Sequence, residues 1–155
     1  MHPPSILLVE DDDNDVFFIK DALRRAEIDL PLKVVSDGQE AIDYLEAAGA
    51  KSFEADDCRP GFVLLDLNLP RRTGIDVLRW IRRSSSWKQL IVVVLTSSTS
   101  ESDMNQAYSS GANSYIVKPT DATRLRELIK LLAEYWLGWN QSPPLIEGCH
   151  PAEAL

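Results

Sequence analysis

Four short apolar runs in this chain each end in a residue that carries chemistry. Ile6-Leu7-Leu8-Val9 leads into Glu10-Asp11-Asp12, and Phe62-Val63-Leu64-Leu65 into Asp66. Ile91-Val92-Val93-Val94-Leu95 leads into Thr96, and Tyr115-Ile116-Val117 into Lys118-Pro119. Runs this rich in Val, Ile and Leu predict buried parallel strands where helical stretches separate them. A further strand, Leu32 to Val35, is predicted after Pro31.

Between the runs the apolar period changes to that of a helix. Val16, Ile19 and Leu23 recur on one face with Phe17 and Ala22 beside them, and the cluster Asp13-Asn14-Asp15 supplies the caps. Asp37-Gly38-Gln39-Glu40 has the acid-x-x-Glu form of a helix start, followed by Ala41, Ile42, Tyr44, Leu45 and Ala48. Gly49 to Gly61 reads as a long loop, mobile or holding an extra turn. Thr73 caps a helix bearing Ile75, Leu78 and Ile81. Ser100-Glu101-Ser102-Asp103 opens another, with Met104, Ala107 and Tyr108, and Gly111 stops it. Asp121 caps the last helix, whose stripe Leu125, Leu128, Ile129 and Leu132 continues to Tyr135 and Trp136 and ends at Gly138. The tail to Leu155, with Pro143-Pro144 and Pro151, reads as extended or partly disordered. Five strands alternating with five helices predict an α/β fold, a doubly wound parallel sheet with helices on both faces.

A length of 155 residues fits one domain with its own core. The formal charge of -8 argues against general nucleic-acid binding and against an anionic membrane surface. Cys58 and Cys149 form neither a C-x-x-C pair nor a zinc spacing, and a disulfide between them is poorly supported. The start has no basic n-region, and no apolar stretch approaches a membrane span. These features predict a cytoplasmic protein.

Ligands of open α/β sheets bind at the carboxyl ends of the strands. Glu10, Asp11, Asp66, Thr96 and Lys118 are therefore expected in one crevice. Any one acid there reads equally well as a turn or cap residue; four strand ends with matching chemistry read as a site. Glu10, Asp11 and Asp66 offer the hard oxygen donors that magnesium prefers. Asp66 also suits a nucleophile that forms an aspartyl phosphate. Lys118 and Thr96 would then meet the phosphoryl oxygens.

The motifs Val9-Glu10-Asp11-Asp12, Leu64-Leu65-Asp66-Leu67-Asn68-Leu69-Pro70, Thr73-Gly74, Leu95-Thr96-Ser97 and Tyr115-Ile116-Val117-Lys118-Pro119 resemble the CheY-like receiver domains of two-component response regulators. The resemblance implies a flavodoxin-like (βα)5 domain over residues 5–137, strand order 2-1-3-4-5, with residues 138–155 as a C-terminal tail. It implies Asp66 as phosphoacceptor, and Mg2+ or Mn2+ held by Asp11, Glu10 through water, Asp66 and the backbone carbonyl of Asn68. It further implies Thr96 as switch hydroxyl, Tyr115 as switch aromatic, Lys118 on the phosphoryl group and a cis peptide before Pro119. Asn68 and Ser98 match positions that tune phosphate lifetime. Thr73 departs from the family, where Asp is common. The aromatic end of the last helix, Glu134-Tyr135-Trp136-Leu137, resembles the stand-alone regulators that partner bacterial phytochrome kinases.

The expectation is a non-enzymatic, single-domain regulator. A sensor histidine kinase, a bacteriophytochrome in the more specific resemblance, would phosphorylate it, and it would act on an unknown downstream protein through contact. Leu131, Tyr135, Trp136 and Trp139 are expected to form a homodimer interface. One rival is an aspartate-nucleophile phosphohydrolase, which would place its nucleophile after the first strand and a second acid two residues on, where Asn68 stands here. The other is a receiver-like scaffold that is never phosphorylated.

Overall fold

The computed structural model describes residues 5–50 and 59–143. Strands β1 (Ser5–Val9), β2 (Leu32–Val35), β3 (Pro60–Leu65), β4 (Ile91–Thr96) and β5 (Ser114–Val117) form one sheet in the order β2-β1-β3-β4-β5. Every pairing is parallel. Helices α1 (Asp13–Arg25), α2 (Gly38–Gly49), α3 (Gly74–Arg83), α4 (Glu101–Ser109) and α5 (Ala122–Ala133) make the crossovers. Cys58, Cys149, most of the Gly49–Gly61 connection and the tail beyond 143 lie outside the described residues.

The apolar runs are continuous, not alternating, because both sheet faces are covered. Leu7, Val9, Val63, Leu65 and Val92 point into a core with Ala41 and Leu45 of α2 and Val77, Leu78 and Ile81 of α3. Their neighbours Ile6, Leu8, Phe62, Leu64 and Val93 point the other way, onto Ile19 and Leu23 of α1 and Leu125 and Ile129 of α5. Trp87, in the connection before β4, is buried in the first core and donates its indole N–H to the Leu45 carbonyl at 2.8 Å.

Three local expectations are corrected. The cap of α1 is Asp12, not the following cluster: its backbone is still extended, and its carboxylate accepts from the N–H groups of Asn14 and Asp15 at 2.8 and 3.2 Å. Asp37 does cap α2, but Glu40 reaches back to the N–H and hydroxyl of Ser36 and so does not close a box on the cap residue. Gly138 does not end the last helix. α5 continues as a π-helical segment, Glu134–Trp139, whose wider turn lets Trp136 and Leu137 pack on the second core. Gly111 is the only glycine among the described residues with positive φ, at 102°, which fits its place as the stop after α4.

Candidate functional site

Each chemical residue sits one step past, or at the last residue of, a strand, and the sheet's hydrogen bonding extends to hold it. Glu10 N–H donates to the Val35 carbonyl at 3.0 Å, Asp66 N–H to Val9 at 3.0 Å, and Lys118 N–H to Thr96 at 2.8 Å. The register sets Val9 beside Val35 and Leu65, Leu65 beside Val94, and Thr96 beside Val117. Glu10, Asp66, Thr96 and Lys118 therefore meet at the carboxyl edge of the sheet. Glu10, Asp66 and Thr96 are buried.

Lys118 Nζ is the centre of the cluster. It donates to Glu10 Oε2 at 2.5 Å, to Asp15 Oδ2 at 2.7 Å and to Asp66 Oδ2 at 3.0 Å. Burial alone would favour the neutral amine, but the hydrogen bonds to Asp15, Glu10 and Asp66 outweigh it and hold the ammonium form well past the ordinary lysine range. At Glu10 burial prevails. It pushes that carboxyl up to about 7 despite the hydrogen bond from Lys118, and Asp66 nearby adds to the rise. Carboxylate oxygens of Glu10, Asp11 and Asp66 all lie within 4.8 Å of one another, with Asp11 exposed. That donor set suits a hard divalent cation and leaves part of its shell to other oxygens.

The β3–α3 loop is fixed around Asp66. Asn68 N–H donates to Asp66 Oδ1 at 3.2 Å, and Gly74 N–H to the Leu67 carbonyl at 3.0 Å. A β-carbon on Gly74 would run into the Asp66 carbonyl oxygen, so only glycine permits α3 to start here. Thr73 caps α3 in a capping box with Asp76. Arg71, with a left-handed φ of 63°, pairs with Asp37 at 2.9 and 3.0 Å and ties the loop to the start of α2.

On the other flank, Thr96 Oγ1 accepts from the Ser98 N–H at 3.4 Å. Tyr115 Oη donates to the Ser98 carbonyl at 3.0 Å, and Ser98 Oγ to Asp103 at 2.5 Å. The expected switch residues are thus linked through Ser98.

The cis peptide expected before Pro119 is not present: among the described residues every peptide is trans. Trans is the intrinsic preference even before proline, by about 0.5–1 kcal/mol. Lys118 is positioned here by its backbone bond to Thr96 and by three carboxylates. Asp15 is the site residue that sequence reasoning missed. Its signal was an acid in the first turn of α1, at the carboxyl end of the sheet, which reads equally well as a cap.

Leu131, Tyr135 and Trp139 are exposed, Trp139 at 81%. Trp136 instead packs partly buried on the chain's own core, with its ring edge-to-face on Tyr135 at 4.8 Å.

A parallel 2-1-3-4-5 sheet with acids, a hydroxyl and a lysine at its carboxyl edge defines a CheY-like signalling domain. Residues 6–130 match the response regulator receiver domain, and the chain belongs to that family. It is 41% identical over 143 residues to a Methanothrix harundinacea protein described as "Probable methanogenesis regulatory protein FilR2", covering 91% of this chain and 88% of that one. It is 35% identical over 135 residues to response regulator Rcp1 of Synechocystis sp., covering 87% and 90%. A solved Mn2+-bound form of Rcp1 superposes with a TM-score of 0.79 at 32% identity, covering 92% of this chain and all of that one. The phosphorylated cyanobacterial phytochrome response regulator RcpA superposes with a TM-score of 0.81 at 34% identity, covering 92% and 99%. Among the described residues no helix is long and apolar enough to cross a membrane.

Proposed function

We propose that this chain is a cytoplasmic phosphoacceptor: a sensor histidine kinase transfers a phosphoryl group to Asp66, and the modified surface signals by protein contact, without enzymatic turnover. The observation that carries the reading is the Asp66 carboxylate, buried, 3.0 Å from Lys118 Nζ and grouped with Glu10 and Asp11. In the transfer an Asp66 carboxylate oxygen attacks phosphorus and the O–P bond forms. The P–N bond of the phosphohistidine breaks, and its electron pair leaves with the imidazole nitrogen. Lys118 offsets charge on the transferred oxygens. Asp11, Asp66, the Asn68 carbonyl and, through water, Glu10 would hold Mg2+ or Mn2+, which when bound supplies further positive charge at those oxygens.

Thr96 and Tyr115 are assigned as the switch pair, with Asn68 and Ser98 tuning the lifetime of the adduct. The apolar end formed by Leu131, Tyr135 and Trp139 is proposed as a homodimer face. The likeness to the phytochrome response regulator RcpA and the bacteriophytochrome response regulator RtBRR favours a phytochrome-type kinase as the partner. The identity to FilR2 favours a regulator of a different input. Phosphotransfer assays with purified kinases of both kinds separate these.

The site itself is tested with labelled acetyl phosphate or a phosphorylated kinase. The label is expected on Asp66 alone, labile in base and absent from Asp66→Asn. Wild-type labelling of that variant overturns the assignment. Sustained hydrolysis of p-nitrophenyl phosphate would support the phosphohydrolase instead.

A further inference from the structure

We infer that Asp15 is a displaceable counter-ion of Lys118, occupying the ammonium at rest and giving way to the phosphoryl group on Asp66. The inference rests on the phosphoacceptor reading of Asp66 above. An ammonium has three N–H donors, and Lys118 has three carboxylate acceptors, Glu10, Asp15 and Asp66. Phosphorylation passes the one N–H held by Asp66 to the phosphoryl group, so a second direct bond from Lys118 to that group forms only if Glu10 or Asp15 yields.

The three are not equally able to yield. Asp66 is the reacting group. Glu10 is buried, its side chain 2% exposed, and its other oxygen accepts from the Asp12 N–H at 3.1 Å. The Asp15 side chain is 38% exposed and its carboxylate makes no second bond among the described residues. It is the N3 residue of α1, so its own backbone N–H is held by the Asp12 cap whichever way the side chain turns. Asp15 also stands at the rim of a cleft of about 290 Å³ whose wall includes Lys118, Ser97, Phe18 and Pro119. Water is therefore close enough to solvate the carboxylate once it is released. Of the three carboxylates only Asp15 is substantially open to water, so it alone regains solvation when it is released. Asp15 acts through Lys118 and is a positioning residue, not a catalytic one.

The test is the affinity of the full chain for beryllium fluoride, a phosphoryl mimic, measured calorimetrically with magnesium present. Asp15→Ala is expected to bind about two- to fivefold more tightly than wild type, the range set by a part-exposed ion pair. Asp15→Glu, which restores an acceptor, is expected to return to the wild-type value. Asp13→Ala removes a first-turn charge that does not touch Lys118 and is expected to match wild type, which separates the ion pair from helix-dipole effects. Equal or weaker binding by Asp15→Ala overturns the inference, as does the same gain in Asp13→Ala. A wild type that binds no beryllium fluoride overturns the phosphoacceptor reading and this inference with it. A wild type that binds, with no gain in Asp15→Ala, overturns this inference alone.

Discussion

The Tyr115 hydroxyl donates a hydrogen bond to the Ser98 carbonyl at 3.0 Å. Ser98 also donates its N–H to Thr96 Oγ1, at the long distance of 3.4 Å. One residue therefore couples the hydroxyl at the end of β4 to the ring on β5. Movement of Thr96 toward Asp66 would break the weaker bond and be felt at Tyr115. Tyr115→Phe is expected to leave labelling of Asp66 intact and to loosen the segment before α4. Losing one bond of about 0.5–1.5 kcal/mol should speed amide exchange at residues 97–100 by about two- to tenfold. Exchange rates equal to wild type would place the coupling elsewhere.

The acids and their burial fix the direction of pH dependence. Glu10 is raised from 4.5 to about 7, chiefly by burial. Without metal, the folded state thus keeps a proton that the unfolded chain has lost between these values. The contribution of Glu10 to stability is full below pH 4.5, falls as pH rises to about 7 and is then flat. A cation takes the deprotonated form, so its binding strengthens over the same window and releases a proton. The melting-temperature shift given by magnesium is expected to be larger near about pH 8 than near about pH 5. Glu10→Gln should flatten the metal-free profile. Asp11→Ala should lose most of the magnesium shift; a full shift in that variant would put the metal outside this cluster.

Much of the fold was legible because a sheet covered on both faces needs uninterrupted apolar runs, and Leu7 and Leu8 show why by pointing to opposite cores. The position of the site followed from the same runs, since Glu10, Asp66 and Lys118 are held by bonds that continue the sheet. What stayed hidden depends on packing between distant elements. Asp15 and Lys118 lie 103 residues apart, and only the docking of α1 against α5, the helix that follows Lys118, turns a first-turn acid into an ion-pair partner. Gly138 looked like a stop because glycine ends many helices. Whether the chain stops or winds on was decided by the fit of Trp136 and Leu137 against the second core. Trp87 stood in a polar connection, and only its tertiary contact with Leu45 marks it as core.

Two glycines give opposite expectations. At Gly74 a β-carbon would meet the backbone of Asp66 and, at 2.7 Å, the Leu67 Cα, with no flexible side chain to give way. Gly74→Ala is expected to cost about 1–3 kcal/mol, as overpacking does, and to slow labelling because Asp66 moves with its backbone. At Gly138 a β-carbon meets nothing within 4 Å. Gly138→Ala is expected to be neutral or to stabilise by up to about 1 kcal/mol through helix propensity. Urea unfolding of both variants checks the pair; equal midpoints would mean that α3 can shift away from Asp66.

The end of the last helix divides its aromatic residues between two tasks. Trp136 is partly buried on the chain's own core, whereas Leu131, Tyr135 and Trp139 face outward. An exposed apolar patch of this kind marks an interface, and one patch repeated on identical chains closes as a two-fold dimer. If so, Leu131→Gln with Trp139→Ser should yield a monomer of unchanged stability per chain. Trp136→Ala should instead lower stability by about 1–3 kcal/mol, the usual cost of opening a packed site, whatever the assembly. Light scattering with denaturant unfolding on the full chain separates the two effects. A dimer in the wild type that is lost only in the surface double variant supports the interface. A wild-type monomer at about tens of micromolar, where a micromolar dimer would be well populated, rules it out and leaves the patch to another partner.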